Sequence, residues 1–220
     1  PATGNYPVIY DERVSSGLVS HFLSAINGTA IARGSSWLKD SLGKQVFPKT
    51  CKLVENPHRL RSGASRLFDS EGLPTKKREI LSEGVLNGWT LDLASARKLG
   101  MKPTANASRS ASSNPSPTNW NIELSSPKDY CDNLLNEMRN GLLVTSLIGS
   151  TINPNTGDYS RGVSGFWVED GQICYPVSEV TIAGNLRDML KKIVLGNDAQ
   201  RHLQYVVPSI LVEDMTLAGS

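Results

Sequence analysis

Apolar residues recur at Val14, Leu18, Val19, Phe22, Leu23 and Ile26, intervals that place them on one face of a helix. Asp11 stands where an N-cap belongs, and Asn27-Gly28 supplies a stop. A second helix is predicted from Ser126, with Pro127 in its first turn, through Tyr130, Leu134, Leu135 and Met138 to Asn140-Gly141. A third starts at Asn185, buries Leu186, Met189, Leu190 and Ile193, and closes on Lys191, Lys192 and Gly196. Between the helices the pattern is that of strands. Residues 78–81 and 85–91 flank Ser82-Glu83-Gly84, read as a three-residue hairpin loop. Residues 163–168 and 173–177 flank Glu169-Asp170-Gly171-Gln172, where Asp-Gly is a strong hairpin signal. Residues 206–212, continuing to 217, read as a last strand. The stretch 104–118 is dominated by Ser, Asn, Ala and Pro and reads as a mobile surface loop. Hairpins interleaved with helices, without a βαβ rhythm, predict an α+β fold: mainly antiparallel β-sheet, barrel-like, with about three α-helices.

Composition changes this picture little. Of 220 residues, 39% are hydrophobic and 20% charged, which is the balance of a globular chain rather than a disordered one. No run approaches the roughly 18 apolar residues of a membrane span. The longest apolar stretch, around 141–149, is broken by Thr145 and Ser146. A net charge of +2 is too mild to indicate a nucleic-acid partner. Cys51, Cys131 and Cys174 are odd in number and far apart, so a disulfide framework is not expected and a reducing cytoplasm is the natural compartment. The chain opens on Pro1 and runs straight into Pro7-Val8-Ile9-Tyr10, which reads as a domain cut from something longer.

Candidate chemistry is sparse. His21, His58 and His202 have no second ligand at a metal-binding spacing, and His21 reads as an edge-of-core residue. Gly43-Lys44 fails as a phosphate loop, because Leu38 replaces the required glycine and Gln45 the Ser/Thr. Ser36-Trp37-Leu38-Lys39 and Ser125-Ser126-Pro127-Lys128 match S-x-x-K, but the companion motifs of serine acyl transfer are absent. Asp69 and Glu71 could form an acid–base pair, although a Gly72-terminated acidic turn is the commoner meaning. Lys76-Lys77-Arg78, with Lys49, Lys52, Arg59, Arg61 and Arg66, makes a basic region whose default is a solvated face.

The most specific segment is residues 156–171, Thr-Gly-Asp-Tyr-Ser-Arg-Gly-Val-Ser-Gly-Phe-Trp-Val-Glu-Asp-Gly, continued by Tyr175-Pro176-Val177 and Thr181-Ile182-Ala183-Gly184-Asn185-Leu186. With residues 68–75, 94–101, 141–144 and Gly196-Asn197-Asp198, it resembles the C-terminal domain of the PmbA/TldD family, on the PmbA (TldE) branch. The resemblance covers nearly the whole chain, and the family's N-terminal domain is absent from it. In TldD-type members a helix carries H-E-x-x-x-H, two zinc ligands and a catalytic glutamate, and a later cysteine adds a ligand. Laid on this chain with Gly28 and Gly34-Ser35-Ser36 as anchors, those positions fall on Val19, Ser20 and Ser24, and residues 198–212 hold no cysteine. None of the three suits the task, so the resemblance implies a vestigial site with no catalytic residue, no metal and no cofactor. It implies a non-catalytic subunit of a cytoplasmic TldD/TldE-type zinc peptidase. The partner would be a TldD-type subunit in a heterodimer, or a second copy, with peptides or unfolded proteins as substrate. Gly157, Asp158, Arg161, Phe166 and Trp167 are the expected assembly or substrate surface, one of the two aromatics being the anchor. The competing expectation is a regulatory binding module such as a DNA gyrase modulator, and a serine hydrolase is a weaker third.

Overall fold

The computed structural model describes residues 1–126 and 130–219, apart from the side chains of Ser150 and Thr151. In chain order the strands are β1 (Gly4–Tyr10), β2 (Lys52–Glu55), β3 (Arg78–Ser82), β4 (Val85–Leu86), β5 (Ala107–Ser108), β6 (Ser116–Pro117) and β7 (Ile122–Ser125). They continue with β8 (Tyr130–Cys131), β9 (Gly141–Ile152), β10 (Asp158–Glu169), β11 (Gln172–Asn185), β12 (Ile193–Gly196), β13 (Tyr205–Val206) and β14 (Ile210–Ala218). The helices are α1 (Glu12–Ala25), α2 (Gly28–Arg33), α3 (Leu93–Leu99), α4 (Leu134–Met138) and α5 (Leu186–Met189), the last running into a 3₁₀ turn at Leu190–Lys192.

Five strands close into a barrel. β9, β10 and β11 form a long antiparallel meander, β11 joins β14 from Thr181↔Ala218 to Ala183↔Thr216, and β14 pairs with β1 from Gly4↔Leu217 to Tyr10↔Ile210. β1 then lies parallel to β9, Val8 opposite Leu142, and the ring is complete. The free edge of β14 at Ile210–Val212 is taken by β12, which carries the short β8 beside it. A second sheet, ordered β13-β7-β2-β3-β4, and the ribbon β5-β6 pack alongside. One continuous apolar core joins the two: Tyr10, Phe22, Val163 and Ile182 from the barrel side meet Phe47, Leu53, Leu81 and Leu86 from the second sheet. Among the described residues no helix is long and apolar enough to cross a membrane.

Helix α1 forms where the apolar stripe placed it. The Asp11 carboxylate accepts from the Arg13 amide at 3.1 Å, satisfying one of the orphan donors of the first turn. Leu18, Val19, Phe22 and Leu23 are buried. Asn27 does more than end the helix, because its side chain accepts from the Thr29 amide and starts α2. Gly28 is needed there: a Cβ would stand 2.6 Å from both Leu91 Cδ2 and Ser95 Oγ, where α2 meets the capped start of α3.

Several expectations need correction. Among the described residues five α-helices replace the expected three, α2 and α3 being short segments whose stripes are too brief to read. The helix expected from Ser126 is confined to Leu134–Met138, capped by Asn133. Tyr130 and Cys131 are instead drawn out as β8 by pairing with Leu195 and Gly196, and Pro127 and Lys128 lie outside the described residues. The helix from Asn185 lasts one turn, because Ile193 and Leu195 bury on one phase of strand β12 against β14. The first hairpin turns on two residues, not three: Glu83 (φ 49°) and Gly84 (φ 71°) form a primed turn between Ser82 and Val85, and β4 ends at Leu86. Residues 104–118 are not simply a surface loop. They contain β5 and β6, and Ala105, Asn106 and Ala107 are buried.

Candidate functional site

The three positions aligned with the zinc motif point apart. Val19 is 1% exposed within the core, Ser20 is half-buried with its hydroxyl donating to the Ser16 carbonyl at 2.9 Å, and Ser24 is exposed. Five residues on a regular helix rotate about 140° away from each other, so positions 19 and 24 do not face a common point. An aliphatic side chain and two hydroxyls held this way do not fit a zinc ion. Among the described residues no three His, Cys, Asp or Glu side chains gather into a metal-binding group.

A polar cluster does form beside them. Tyr10 is wholly buried, its hydroxyl 3.3 Å from that of Tyr159 and 3.4 Å from Met215 Sδ. The His21 ring stands edge-on to Tyr159, centroids 6.0 Å apart. Arg161 lies on β10 between Tyr159 and Val163, and acts electrostatically on His21, Tyr10 and Tyr159 alike. Burial holds the His21 imidazolium below its usual range, and the Arg161 charge adds to this. Burial raises the Tyr10 hydroxyl well above its usual value, the neighbouring Tyr159 adding to the effect. Arg161 is one of the residues expected on the assembly or substrate surface. It is half-buried, with its Nε enclosed.

The Gly157-Asp158 turn is a lock between elements. Gly157 has φ +85° and packs on the Trp37 ring, while its carbonyl accepts from the Leu186 amide at 2.8 Å. The Asp158 carboxylate accepts from Thr156 Oγ1 at 2.6 Å and Asn185 Nδ2 at 3.0 Å, which hold it below the ordinary carboxylate range, Thr156 contributing most. Beside this turn a cleft of about 210 Å³ is bordered by Trp37, Asp40, Lys44, Arg187 and Lys191, a group no short motif flags.

At the far end of β10–β11, Asp170 (φ 47°) and Gly171 (φ 76°) make the expected turn, which is tied down by the Gly171 amide donating to the Arg139 carbonyl. The two aromatics divide. Trp167 is 7% exposed, edge-on to Tyr6 at 5.0 Å, with Nε1 donating to Glu169 Oε1 at 3.0 Å. Phe166 is 36% exposed opposite Pro176, and Ile173 and Tyr175 on β11 are exposed as well. From Gln172 to Val180 strand β11 has β10 on one side and no strand on the other among the described residues, because β14 reaches only Thr181–Ala183. That open edge offers backbone groups to an added strand.

Other candidates are spent on structure. Asp69 accepts from the amides of Glu71, Leu73 and Ala107, and Glu71 accepts from the Leu93 amide. Ser36 is buried, donating to the Ala25 carbonyl at 2.6 Å. His58 meets Thr75 Oγ1 at 3.0 Å. In the basic region Lys52 pairs with Glu79, and Arg66 lies 3.9 Å over the Trp120 ring. Arg78 is drawn inward to Glu55, a buried ion pair that the alternation of Leu53 and Glu55 on one phase of β2 could have signalled.

Comparison with known proteins gives the family and the fold. A family model described as the PmbA/TldA metallopeptidase C-terminal domain matches residues 3–219. The chain is 44% identical over 219 residues to metalloprotease PmbA of Escherichia coli O157:H7, covering 99% of the chain and 47% of that protein. It thus spans about half the length of the curated relatives it matches. A solved structure of a candidate modulator of DNA gyrase from Bacteroides thetaiotaomicron superposes with TM-score 0.89 at 30% identity, over all of this chain and 48% of that one. TldE from Thermococcus kodakarensis shares the fold, with TM-score 0.86 at 23% identity over 100% of this chain and 51% of that one.

Proposed function

Since this chain belongs to the PmbA/TldA metallopeptidase C-terminal domain family, we propose that it serves as the metal-free, non-catalytic half of a cytoplasmic TldD/TldE-type peptidase assembly. The observation that carries this reading is the fate of the motif positions: Val19 is given over to the core and Ser24 faces away from it. A helix that keeps an apolar residue in the place of a ligand gains packing and gives up the metal. The zinc and the attacking water then belong to a TldD-type partner, and this chain contributes interface and part of the substrate chamber. Exposed Phe166 supplies an apolar anchor, and the open edge of β11 can take an extended peptide without regard to its sequence. The Gly157-Asp158 turn sets where β10 leaves the loop and so positions that hairpin.

The test is to express the full-length protein with a TldD-type subunit and to measure zinc by elemental analysis on the complex and on each chain. The expected result is a stoichiometric complex with zinc in the partner only. About one zinc per chain in this subunit alone, held by protein donors, would overturn the reading. A gyrase-modulating role is the second reading, favoured by the name of the Bacteroides structure. Salt-sensitive binding to gyrase or DNA without a TldD-type partner would support it instead.

A further inference from the structure

An arginine turned into a barrel strand's buried phase requires a counter-charge. Tyr159 and Val163 are buried on β10, and Arg161 lies between them at the same phase of the pleat. It forms no ion pair with a carboxylate among the described residues. Its Nε is sealed from water without a hydrogen-bond partner, and so is His21 Nε2 on the facing helix α1. Beside them the Tyr10 and Tyr159 hydroxyls lie 3.3 Å apart, and with Met215 Sδ 3.4 Å from Tyr10 both of their protons have acceptors. Two enclosed nitrogens, one of them on a guanidinium, therefore meet beside a tyrosine pair with no partner for either. Each buried orphan donor costs about 1–3 kcal/mol, and a charged one more, so native structures rarely keep such groups without an occupant.

We propose that Arg161, His21 and Tyr159 form a binding site for a single carboxylate group, carried by a small acid or by the end of a peptide. Arginine Nε and one Nη make a planar edge that matches the two oxygens of a carboxylate, and the unpartnered atom is that Nε. One formal positive charge balances a monoanion, whereas a phosphate dianion would remain half-compensated beside Val163 and Ile182. A water molecule could bridge two of the donors but would leave the guanidinium charge unanswered. The half-exposure of Arg161 and His21 gives the ligand a route from solvent. The site does not depend on pairing with a zinc subunit.

Calorimetric titration of the purified chain with acetate, with N-acetyl-alanyl-alanine and with the C-terminal amide of that dipeptide tests the proposal. Saturable binding of the acid is expected, with the amide at least tenfold weaker; acetate equal to the peptide acid would mean that only the carboxylate is read. Arg161→Gln should weaken the acid at least tenfold, Arg161→Lys less, and Tyr159→Phe about threefold, at melting temperatures near that of the parent. If Arg161→Gln does not fold, Arg161→Lys and Tyr159→Phe carry the test. Equal binding of acid and amide, binding unaffected by the variants, or no saturable binding by any probe would overturn the proposal.

Discussion

Replacing Glu55 with Gln is the most informative single change for the fold. Glu55 is 1% exposed, and its carboxylate accepts from Arg78 Nε at 2.5 Å, Asn106 Nδ2 at 3.0 Å, Asn119 Nδ2 at 3.1 Å and the Trp120 amide at 2.7 Å. Arg78 in turn donates to the Trp89 carbonyl and Thr90 Oγ1, both at 2.9 Å. This one side chain therefore ties β2 to β3, to the segment after Leu86 and to the β5–β6 ribbon. Glutamine keeps the shape and can still accept on one oxygen from the Asn106, Asn119 and Trp120 donors. Its amide nitrogen then meets Arg78 Nε, donor against donor, and the guanidinium keeps only neutral partners, with no counter-charge. Breaking a buried pair on one side typically costs about 3–5 kcal/mol. In a chain of this size each kcal/mol lowers the melting temperature by about 2–4 °C, so a fall on the order of 10 °C is expected. Urea unfolding followed by tryptophan fluorescence suits the question, since Trp89 and Trp120 flank the network. Adding Arg78→Met to Glu55→Gln should recover much of the loss, because the unanswered guanidinium is gone while the glutamine oxygen still accepts from Asn106, Asn119 and Trp120. A loss below about 1 kcal/mol for Glu55→Gln, or a double variant no better than the single, would refute this account of the network.

Three further outcomes are expected. Trp167→Ala should destabilise the chain by about 3–5 kcal/mol in thermal unfolding, whereas Phe166→Ala should leave stability within about 1 kcal/mol and weaken association in sizing and pull-down assays. If Phe166→Ala associates as the parent does, the hairpin patch is not the anchor. Installing Val19→His, Ser20→Glu and Ser24→His together should give no chelator-sensitive peptide hydrolysis, and the buried histidine should cost about 1–3 kcal/mol; zinc-dependent cleavage by the variant alone would contradict the divergent geometry. The hydrogen bonds to Asp158 lower its folded pKa, so their stabilisation is complete above the unfolded carboxylate value, near 4, and is lost as pH falls through the lowered folded value. Asp158→Asn should flatten that part of the acid unfolding curve, and an unchanged curve would show that the lock is silent.

The legibility of these features follows from how local their causes are. Helix α1 was readable because Asp11, the stripe from Val14 to Ile26 and the cap at Asn27 lie within one segment. The Asp170-Gly171 turn and the Asn185 cap are equally local, and the motif positions at Val19 and Ser24 could be judged from side-chain chemistry alone. Tyr130 and Cys131 were misread because their extended form is imposed by Leu195 and Gly196 in a distant strand. Residues 104–118 look like a loop by composition, yet Asn106 is buried because it donates to Glu55, fifty-one positions away. Arg161 reads as a surface charge until its neighbours Tyr159 and Val163 are known to face inward. Tertiary pairing, rather than propensity, decides each of these cases.

The seam between the first strand and the last has a consequence for biosynthesis. While the polypeptide is still emerging from the ribosome, β1 can align with β9, but its other margin must wait for the much later β14. Nascent chains therefore carry an unsealed cylinder from the synthesis of β9 until β14 has emerged. Such long-range closure is slow, and the waiting backbone is open to pairing with other nascent chains. Deleting β14 should thus leave the ring permanently unshut and its product a client for chaperones and proteases.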